Sequence, residues 1–591
     1  MTGPVLGLCS FTHDSAAALV VDGELVGLVE EERLSGIKHD KAYPAKGIAW
    51  LLNNAGLHPL DVETVALHFR HDLYRRAAPA SLAHLFRPGT AARAIPRARS
   101  FLTVARNERS RTRRLRDHFP DARITQVLHH RAHGLTAFAA SGFDEAAVLV
   151  VDSLGETQTT TIAFGHLEGG VPRWDLRHAL SDPASLGYAY GAVTQHLGWR
   201  KADEEGTVMA LAALGDPGRF RGLFQQAVRI TSDGFTLDPR LFPLRVISSR
   251  WPRVSPEFVA RTCPPRGPAE EITQVHRDLA AALQERTEQI MLHLARLAAD
   301  RTGSRRLCVG GGVAMNCVSI GKILASGIFE EIFVPPAPGD SGTALGAALA
   351  VLADHREPVP GGVREGCFLG PSPLGHASGA SQPSGLTWES EQQPARRIAE
   401  ALAEGAIVGV CVGRAEAGPR ALGHRSILAS PLLPDVIDRL NSKIKFREPF
   451  RPFAPIVLAE QATAYFDLGA QQSPFMSIAV PGTAQAHRLI PSVFHANGLA
   501  RVQTVDEARN PRFYRLLAAF RRRTGCPVLV NTSFNVRGEP IVATPGDALR
   551  CFLATDMDAL VMEDVVVTKG DAGIARDEGR RREHLAQFRP D

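Results

Sequence analysis

The chain has 591 residues, of which 44% are hydrophobic and 22% charged, and its formal net charge is +5. These are ordinary globular values, so they exclude a long disordered protein, and the length predicts several domains. No run of about 18 apolar residues and no basic N-terminal segment is present, so we expect neither a membrane-spanning helix nor a signal peptide. The eight cysteines form no Cys-x-x-Cys pair, which argues against a zinc ribbon or a disulfide framework and favours the cytoplasm.

The N-terminal residues predict a β-hairpin. Two apolar runs, residues 5–10 and 16–21, are followed by Asp22-Gly23 and a further apolar run. An Asp-Gly pair between apolar runs is a strong local signal for a tight turn. Asp14 stands where this hairpin begins.

A second stretch repeats the pattern. The apolar run 146–151 is followed by Asp152, by the β-branched run 157–164 and by Gly169-Gly170. Because each block places an aspartate at the start of a hairpin, the echo favours an internal duplication.

Between the two hairpins lies an arginine-rich segment, RNERSRTRRLR at residues 106–116, in a chain with 59 arginines and eight lysines. Such a cluster can bind nucleic acid or a phosphorylated ligand. No aromatic residue is interleaved with the arginines, which favours a solvated helix face instead.

The run HHRAH places His129 and His133 four residues apart. On a helix both imidazoles face one side, and this spacing suits a divalent metal. Carboxylates must complete such a site. Asp152 comes at the end of a strand, and Asp340 lies in a loop at residues 336–342. The alternative is a surface helix with ordinary histidines.

Two glycine loops follow a long predicted helix at about residues 270–300. Gly310, Gly311 and Gly312 come after a strand, with Asn316 beyond them, and a similar loop spans residues 340–346. Such loops let backbone amides approach a phosphate or a ribose, although many are only turns. A packed helix at 344–351 follows, with Gly346 at a helix crossing.

A proline- and glycine-rich stretch at residues 356–390 predicts a linker between a first domain, 1–355, and a second, 391–591. In the second domain we expect a helix at 395–404 and a strand at 407–412. Asn510-Pro511 and Gly525 predict the start and end of another helix. Residues 576–591 are highly charged and predict a surface helix or a loose tail.

The second domain contains a group of cations next to Gly and Pro turns, as a polyphosphate site requires. The alternative is an arginine-rich surface. The residues with this character are Arg414, Arg420, Lys443, Lys445, Arg447 and Arg451, with Asn531 and Asn535 past a later strand.

Together these segments closely resemble the ATP-dependent O-carbamoyltransferases of the NodU/CmcH/TobZ type. The matching runs span nearly the whole chain in order: THDSAAALVVDG (12–23), EER (31–33), KHD (38–40), HHRAH (129–133), VVDSLGE (150–156), GGGVAMN (310–316), PAPGDSGTALGAAL (336–349), GRAEAGPRALGHRSIL (413–428), KIKFREPFRPFAP (443–455), ARVQTV (500–505) and NTSFNVRGEPIV (531–542). The chain departs from the family pattern at Thr207 and Ala210, where Lys and Gly are usual, and at His424.

The resemblance implies an α/β fold with two domains. The first is a duplicated actin-like domain of the TsaD type, and the second is a YrdC-like α/β domain. In the family, the second domain hydrolyses carbamoyl phosphate to carbamate and couples carbamate to AMP from ATP. The carbamoyl-adenylate then moves internally to the first domain, which passes the carbamoyl group to an acceptor hydroxyl.

The resemblance also assigns roles to residues. His129, His133, Asp152 and Asp340 would hold a divalent metal, iron (Fe2+) in the family, although the spacing does not exclude zinc or manganese. His13, beside Asp14, would take the acceptor proton. The nucleotide-binding residues of the first domain would be Gly310, Gly311, Gly312 and Asn316. ATP, with Mg2+, and carbamoyl phosphate would bind in the second domain at Arg420, Lys445, Arg447, Arg451, Asn531 and Asn535.

The leading hypothesis is therefore an O-carbamoyltransferase of antibiotic or other secondary-metabolite biosynthesis. It would act on a small hydroxylated molecule, not on a membrane or a nucleic acid, and a homodimer is the default expectation. A second hypothesis is a tRNA threonylcarbamoyl-type modification enzyme that uses residues 106–116 to bind RNA, although FRPFAP and GPRALG favour the small-molecule branch. A third is a non-enzymatic nucleotide sensor or scaffold, which the retained histidines, aspartates and cations disfavour.

Overall fold

The computed structural model describes residues 2–10, 13–86, 89–247, 251–364, 366–373, 386–569 and 578–588. The chain forms two compact units. The first unit contains residues 1–28 and 41–364, and the second contains residues 29–40 and 365–591. Within the described ranges, no helix has both the length and the apolar character needed to cross a membrane.

The strands up to residue 364 build two five-stranded sheets and a two-stranded ribbon. In chain order they are β1 Val5–Cys9, β2 Ala16–Val21, β3 Glu24–Glu30, β4 Thr64–Leu67, β5 Arg123–Gln126, β6 Glu145–Val151, β7 Gln158–Glu168, β8 Val171–Ser181, β9 Val228–Thr231, β10 Gly234–Leu237, β11 Arg306–Gly310 and β12 Glu331–Phe333. The sheet orders are β3-β2-β1-β4-β5 and β8-β7-β6-β11-β12, and β9 pairs with β10.

The two five-stranded sheets share one topology, which is the predicted duplication. In each, the first strand pairs antiparallel with the second and parallel with a later strand, β4 or β11. Each also has a two-residue turn with positive φ at both positions: Asp22 and Gly23 at 51° and 78°, and Gly169 and Gly170 at 60° and 84°. That backbone matches the twist of the flanking strands.

The helices that precede residue 364 all belong to the first unit, except α1, which belongs to the second. They are α1 Glu31–Ser35, α2 Ala45–Ala55, α3 His71–Leu82, α4 Ala91–His118, α5 His129–Ser141, α6 Leu186–His196, α7 Glu205–Ala212, α8 Arg221–Ala227, α9 Pro256–Arg261, α10 Gln274–Thr302, α11 Cys317–Ala325 and α12 Thr343–Asp354. The arginine-rich segment lies in α4, where Arg113, Arg114 and Arg116 are exposed.

Helix α5 is buried over nearly its whole length, including its three histidines. It packs against α12 at the predicted crossing, where a Cβ on Gly346 would lie 1.9 Å from the Ala132 carbonyl oxygen. Only glycine lets the two helices come this close.

The second unit is built on one nine-stranded mixed sheet, in the order β13-β21-β20-β14-β15-β19-β16-β18-β17. Its strands are β13 Leu386–Ser390, β14 Val408–Cys411, β15 Arg425–Ala429, β16 Ala454–Leu458, β17 Ile478–Pro481, β18 Leu499–Val505, β19 Val528–Ser533, β20 Ala559–Met562 and β21 Val565–Lys569. Its further helices are α13 Pro394–Ala403, α14 Val436–Leu440, α15 Ala462–Tyr465, α16 Ala484–Leu489, α17 Pro511–Thr524, α18 Pro545–Ala554 and α19 Glu578–Ala586.

Helix α17 follows the sequence signals. The Asn510 side chain accepts the Phe513 N–H at 3.1 Å, and Gly525 ends the helix with a φ of 78°. Part of the charged tail forms α19. Residues 374–385 of the predicted linker lie outside the described residues. The predicted α/β class, with a duplicated first unit and a second α/β unit, is confirmed.

Candidate functional site

Four side chains of the first unit converge on one point. His129 and His133 lie one turn apart on α5, Asp152 follows β6, and Asp340 lies in the loop before α12. The two Nε2 atoms are 3.1 Å apart, and His129 Nε2 lies 3.5 Å from Asp152 Oδ2 and 3.4 Å from Asp340 Oδ1. His133 Nε2 lies 3.6 Å from Asp340 Oδ1. All four ligand atoms lie within 4.8 Å of one another, which is the arrangement a single cation needs.

The two histidines are completely or almost completely buried, at 0% and 2% exposure. Burial disfavours a charged His129, but the carboxylates of Asp340 and Asp152 outweigh it and raise the pKa to about 10. Burial also opposes the charged form of Asp340, yet His129 and His133 hold its pKa well below the usual value. The site therefore carries buried negative charge that attracts protons or a metal ion.

The surroundings of His129 fix which nitrogen faces the carboxylates. Its Nδ1 lies 3.3 Å from the His68 carbonyl oxygen, so Nδ1–H donates there and Nε2 is turned into the cluster. The ring of Phe69 stacks on the imidazole with centroids 4.1 Å apart. Neighbouring His130 has a pKa lowered to about 3 by burial and by the charge of His129, so it stays neutral.

The buried carboxylate of Glu156 holds the start of α5. The residue before this helix, Leu128, has no side-chain cap. Instead, Glu156 Oε1 accepts the His129 N–H at 3.1 Å and the Arg70 N–H at 2.8 Å. Sequence reasoning missed this role, although Glu156 ends the quoted run VVDSLGE.

The predicted glycine loop lies against Asp152. The carboxylate accepts N–H groups from Gly312 at 3.0 Å and Leu154 at 3.3 Å. Gly311 has a φ of 89°, and a Cβ there would lie 2.3 Å from the Val151 carbonyl oxygen. A Cβ on Gly310 would lie 3.2 Å from the His133 carbonyl oxygen. All three glycines thus border the metal-ligand cluster.

Asn316, predicted to line the nucleotide, is held by the protein. Its Oδ1 accepts the Ser319 N–H at 3.0 Å at the start of α11, and its Nδ2 donates to Gln284 Oε1 at 2.9 Å. Gln284 also accepts from the Tyr190 hydroxyl at 3.0 Å. The glutamine on α10 is a partner that the sequence did not reveal.

His13 and Asp14 form a pair in the turn between β1 and β2. His13 Nδ1 lies 3.1 Å from Asp14 Oδ2, and both side chains are partly exposed, at 22% and 28%. In the tautomer that carries its proton on Nδ1, this N–H donates to Asp14 and Nε2 is the basic nitrogen of the ring. Asp14 adopts a φ of 53°, which aspartate tolerates better than most residues.

In the second unit, Lys445 meets the predicted asparagine run. Its Nζ donates to Asn535 Oδ1 at 2.6 Å, to the Asn535 carbonyl at 2.8 Å and to the Ser533 carbonyl at 2.7 Å. Burial, with the nearby charge of Arg447, lowers the pKa of Lys445 well below its usual value. The ammonium thus organises the loop after β19.

The other predicted residues of the second unit differ in their surroundings. Arg447 donates to Asn441 Oδ1 at 3.1 Å and lies over the ring of Phe453, while Arg451 and Arg420 are half-buried. Asn531 is 1% exposed, and its Nδ2 donates to Gln503 Oε1 at 2.9 Å. Among the described residues its Oδ1 has no hydrogen-bond donor. A buried acceptor without a donor is rare and favours a ligand contact.

Two further residues of the run 413–428, to which the sequence assigned no individual role, build the GPRALG loop. Glu416 Oε1 accepts the N–H groups of Leu422, His424 and Arg425 at 2.7–3.1 Å. The Arg425 guanidinium is completely buried and donates to backbone carbonyls, including Val412 at 2.7 Å. The signal available in the sequence was one acidic residue, Glu416, among Gly, Ala and Pro residues.

Residues 29–40 also hold this loop from within the second unit. Glu30 Oε1 accepts the Gly418 N–H at 2.6 Å, and Arg33 Nη2 donates to the Gly418 carbonyl at 2.6 Å. Burial raises the pKa of Glu30. The early EER run therefore belongs to the same loop as GPRALG.

Two family models match the chain. The model described as "Carbamoyltransferase N-terminus" matches residues 4–349, and "Carbamoyltransferase C-terminus" matches residues 399–569. An uncharacterized protein of Synechocystis sp. is 36% identical, over 96% of each chain. The nodulation protein NolNO of Sinorhizobium fredii is 37% identical over 95% of this chain and 80% of its own.

A third relative, the nodulation protein NolO of Bradyrhizobium diazoefficiens, is 39% identical over 76% of this chain and 79% of its own. Among solved structures, the ROK hexokinase from Thermus thermophilus covers 60% of this chain and 99% of its own, with a TM-score of 0.29 and 17% identity. HypF from T. kodakarensis covers 60% of this chain and 48% of its own, with a TM-score of 0.28 and 13% identity.

Proposed function

The chain belongs to the carbamoyltransferase family, and we propose that it is an ATP-dependent O-carbamoyltransferase that modifies a hydroxyl of a small molecule. The observation that carries the proposal is the buried cluster of two histidines and two aspartates in the first unit. The group of cations in the second unit supports the proposal. The two units then offer one site each for the two steps of the reaction, adenylate formation and carbamoyl transfer.

The proposed first half takes place in the second unit. Water converts carbamoyl phosphate to carbamate and phosphate, and a carbamate oxygen then attacks the α-phosphorus of ATP. The bond to pyrophosphate breaks, and carbamoyl-adenylate forms. Arg420, Arg447 and Arg451 supply positive charge for the phosphates, with Mg2+ carried by ATP.

Asn531 is suited to recognise the carbamoyl group. Its buried Oδ1 has no donor among the described residues, and a carbamoyl NH2 group supplies one. Lys445 and Asn535 hold the adjoining backbone in place through the 2.6 Å contact between them. In this proposal, Asn531 binds substrate and Lys445 positions the loop.

The proposed second half takes place in the first unit. His13 takes the proton of the acceptor hydroxyl on Nε2, while Asp14 holds the other ring nitrogen. The acceptor oxygen bonds to the carbamoyl carbon, the bond from that carbon to the AMP phosphate oxygen breaks, and AMP leaves. The glycine loop at 310–312 lines the nucleotide with its backbone.

His129, His133, Asp152 and Asp340 fit a divalent metal, because their donor atoms converge and the aspartates supply negative charge. The mixed nitrogen and oxygen donors suit Fe2+, the ion of the family that the sequence resembles, as well as zinc or manganese. A metal ion bound there supplies positive charge toward the adenylate phosphate. We propose a cytoplasmic location, where both phosphorylated substrates are made.

The test of the adenylating half needs no acceptor. Purified protein is incubated with ATP, Mg2+ and carbamoyl phosphate, and AMP, pyrophosphate and phosphate are separated by chromatography. We expect AMP and pyrophosphate only when carbamoyl phosphate is present, and much less of both with Arg420→Ala. ATP that stays intact in the wild type, with and without a panel of hydroxylated metabolites, would contradict the proposal.

A further inference from the structure

A second cluster of potential metal ligands lies in the second unit, apart from the residues used above. It consists of Glu539, Cys551 on α18 and His584 on α19, whose ligand atoms lie within 4.8 Å of one another. The three residues are 6%, 0% and 6% exposed. Three chemically different donors thus meet at a buried position.

The carboxylate of Glu539 is oriented toward this point. Its Oε2 accepts the Val536 N–H at 2.8 Å, which leaves Oε1 facing His584 Nε2 at 3.4 Å. Although these atoms are close, His584 Nε2 has no hydrogen-bond partner within the described ranges. A buried imidazole nitrogen without a partner loses free energy unless something else binds it.

The third donor, Cys551, is completely buried, and its Sγ belongs to the same group of ligand atoms within 4.8 Å of one another. A cation binds the thiolate form, so metal binding would release the thiol proton. Thiolate, imidazole and carboxylate are the donors that zinc takes in proteins.

We propose that Glu539, Cys551 and His584 bind a divalent metal ion of the zinc type, with a water molecule as fourth ligand. The thiolate distinguishes this site from the cluster in the first unit, which offers only nitrogen and oxygen. Softer thiolate ligands select zinc over magnesium or manganese.

Such an ion ties α19 to the loop after β19, which carries Asn535. His584 lies on α19. Glu539 ends the segment that begins at Asn535, and the Asn535 side chain accepts a hydrogen bond from Lys445 Nζ. The Asn535 Nδ2 also donates to the Glu539 carbonyl at 2.7 Å. The role we infer is structural: the metal holds α19 against the loop and so positions Lys445.

Cobalt substitution tests the proposal in the full-length protein. Protein stripped of metal is titrated with Co2+, and the ultraviolet and visible spectrum is recorded. We expect a thiolate-to-Co2+ charge-transfer band in the near ultraviolet, which the cluster of the first unit cannot produce because it has no sulfur. Cys551→Ser is expected to abolish the band and to lower the bound metal by one equivalent per chain.

Two matched controls separate the site from general damage. Cys526→Ser removes another buried thiol, whose Sγ donates to the Val528 carbonyl at 3.6 Å, and should leave the band intact. His584→Ala should weaken Co2+ binding at least tenfold. His487→Ala is the control for this variant. Circular dichroism establishes whether each variant is folded.

The wild-type spectrum alone can overturn the proposal, so it does not depend on a variant that folds. If Co2+ gives no thiolate band, or if His584→Ala binds Co2+ as the wild type does, the cluster is not a metal site. Carbamoyl transfer is not the readout, and therefore failure here is distinguishable from failure of the proposed activity.

Discussion

Glu156 illustrates how much one buried carboxylate can determine at the proposed metal centre. It contributes no metal ligand, yet one of its oxygens accepts the N–H groups at the start of α5 and before α3. The first turn of α5 carries His129, so the position of that ligand depends on this contact. Outer partners of this kind commonly tune metal affinity.

We expect Glu156→Leu to lower the metal affinity of the first unit by about 10- to 100-fold, because both N–H groups lose their acceptor. Glu156→Gln keeps an acceptor oxygen and should lower it far less. Metal affinity is measured by competition with a chelator. The control is Glu168→Gln, at a side chain that is 67% exposed.

Equal affinities for wild type and Glu156→Leu would show that Glu156 does not position the ligand. A large loss with Glu156→Gln would instead indicate that the negative charge matters more than the hydrogen bonds.

At the scale of elements, the packing of α5 against α12 holds both histidines in place. Since α5 is buried over most of its surface, its position is set by backbone approach rather than by one apolar face. Gly346 permits that approach, and the two helices link the ligands His129 and His133 to the loop that carries Asp340.

Gly346→Ala should lower the free energy of unfolding of the first unit by at least about 2 kcal/mol, because backbone atoms cannot yield to the new methyl group. Gly206→Ala is the matched control. Gly206 is also helical, but its Cβ would meet nothing within 4 Å, so alanine there should stabilise by about 0.5–1 kcal/mol. Urea denaturation measures both, and equal effects of the two changes would refute the packing argument.

Local patterns predicted elements well and side-chain partners poorly. The turns at residues 22–23 and 169–170 and the ends of α17 are set by neighbouring residues, and the structure has them as predicted. The clamp of Glu30 and Arg33 on Gly418 joins residues nearly 390 positions apart. No periodicity or spacing in a single sequence indicates such a pair.

In the candidate sites, too, the sequence predicted the chemistry-bearing residues better than their hydrogen-bond partners. His129, His133, Asp152 and Asp340 carry recognisable metal chemistry, and the structure brings them together. Gln284, Glu156 and Arg425 act through hydrogen bonds to groups whose positions depend on the finished fold. Residues of this positioning type leave little trace in the sequence.

At the scale of the whole molecule, the chain combines two units, and the proposal gives each unit one half-reaction. The two half-reactions must therefore be separable by mutation. His13 is the informative position, because it belongs to the transfer half and lies in the first unit, while carbamoyl-adenylate formation is assigned to the second.

We expect His13→Asn to lower carbamoyl transfer to an accepted alcohol by about 10²- to 10⁴-fold, the usual contribution of a general base. AMP and pyrophosphate formation from ATP and carbamoyl phosphate should continue without an acceptor, since asparagine keeps a polar group beside Asp14 and leaves the second unit unchanged. Asn531→Leu, which removes the buried carbonyl oxygen that we assign to the carbamoyl group, should abolish both activities. If folded His13→Asn loses pyrophosphate formation as well, the two halves are not divided between the units, because a base confined to the transfer step cannot affect the formation of its substrate.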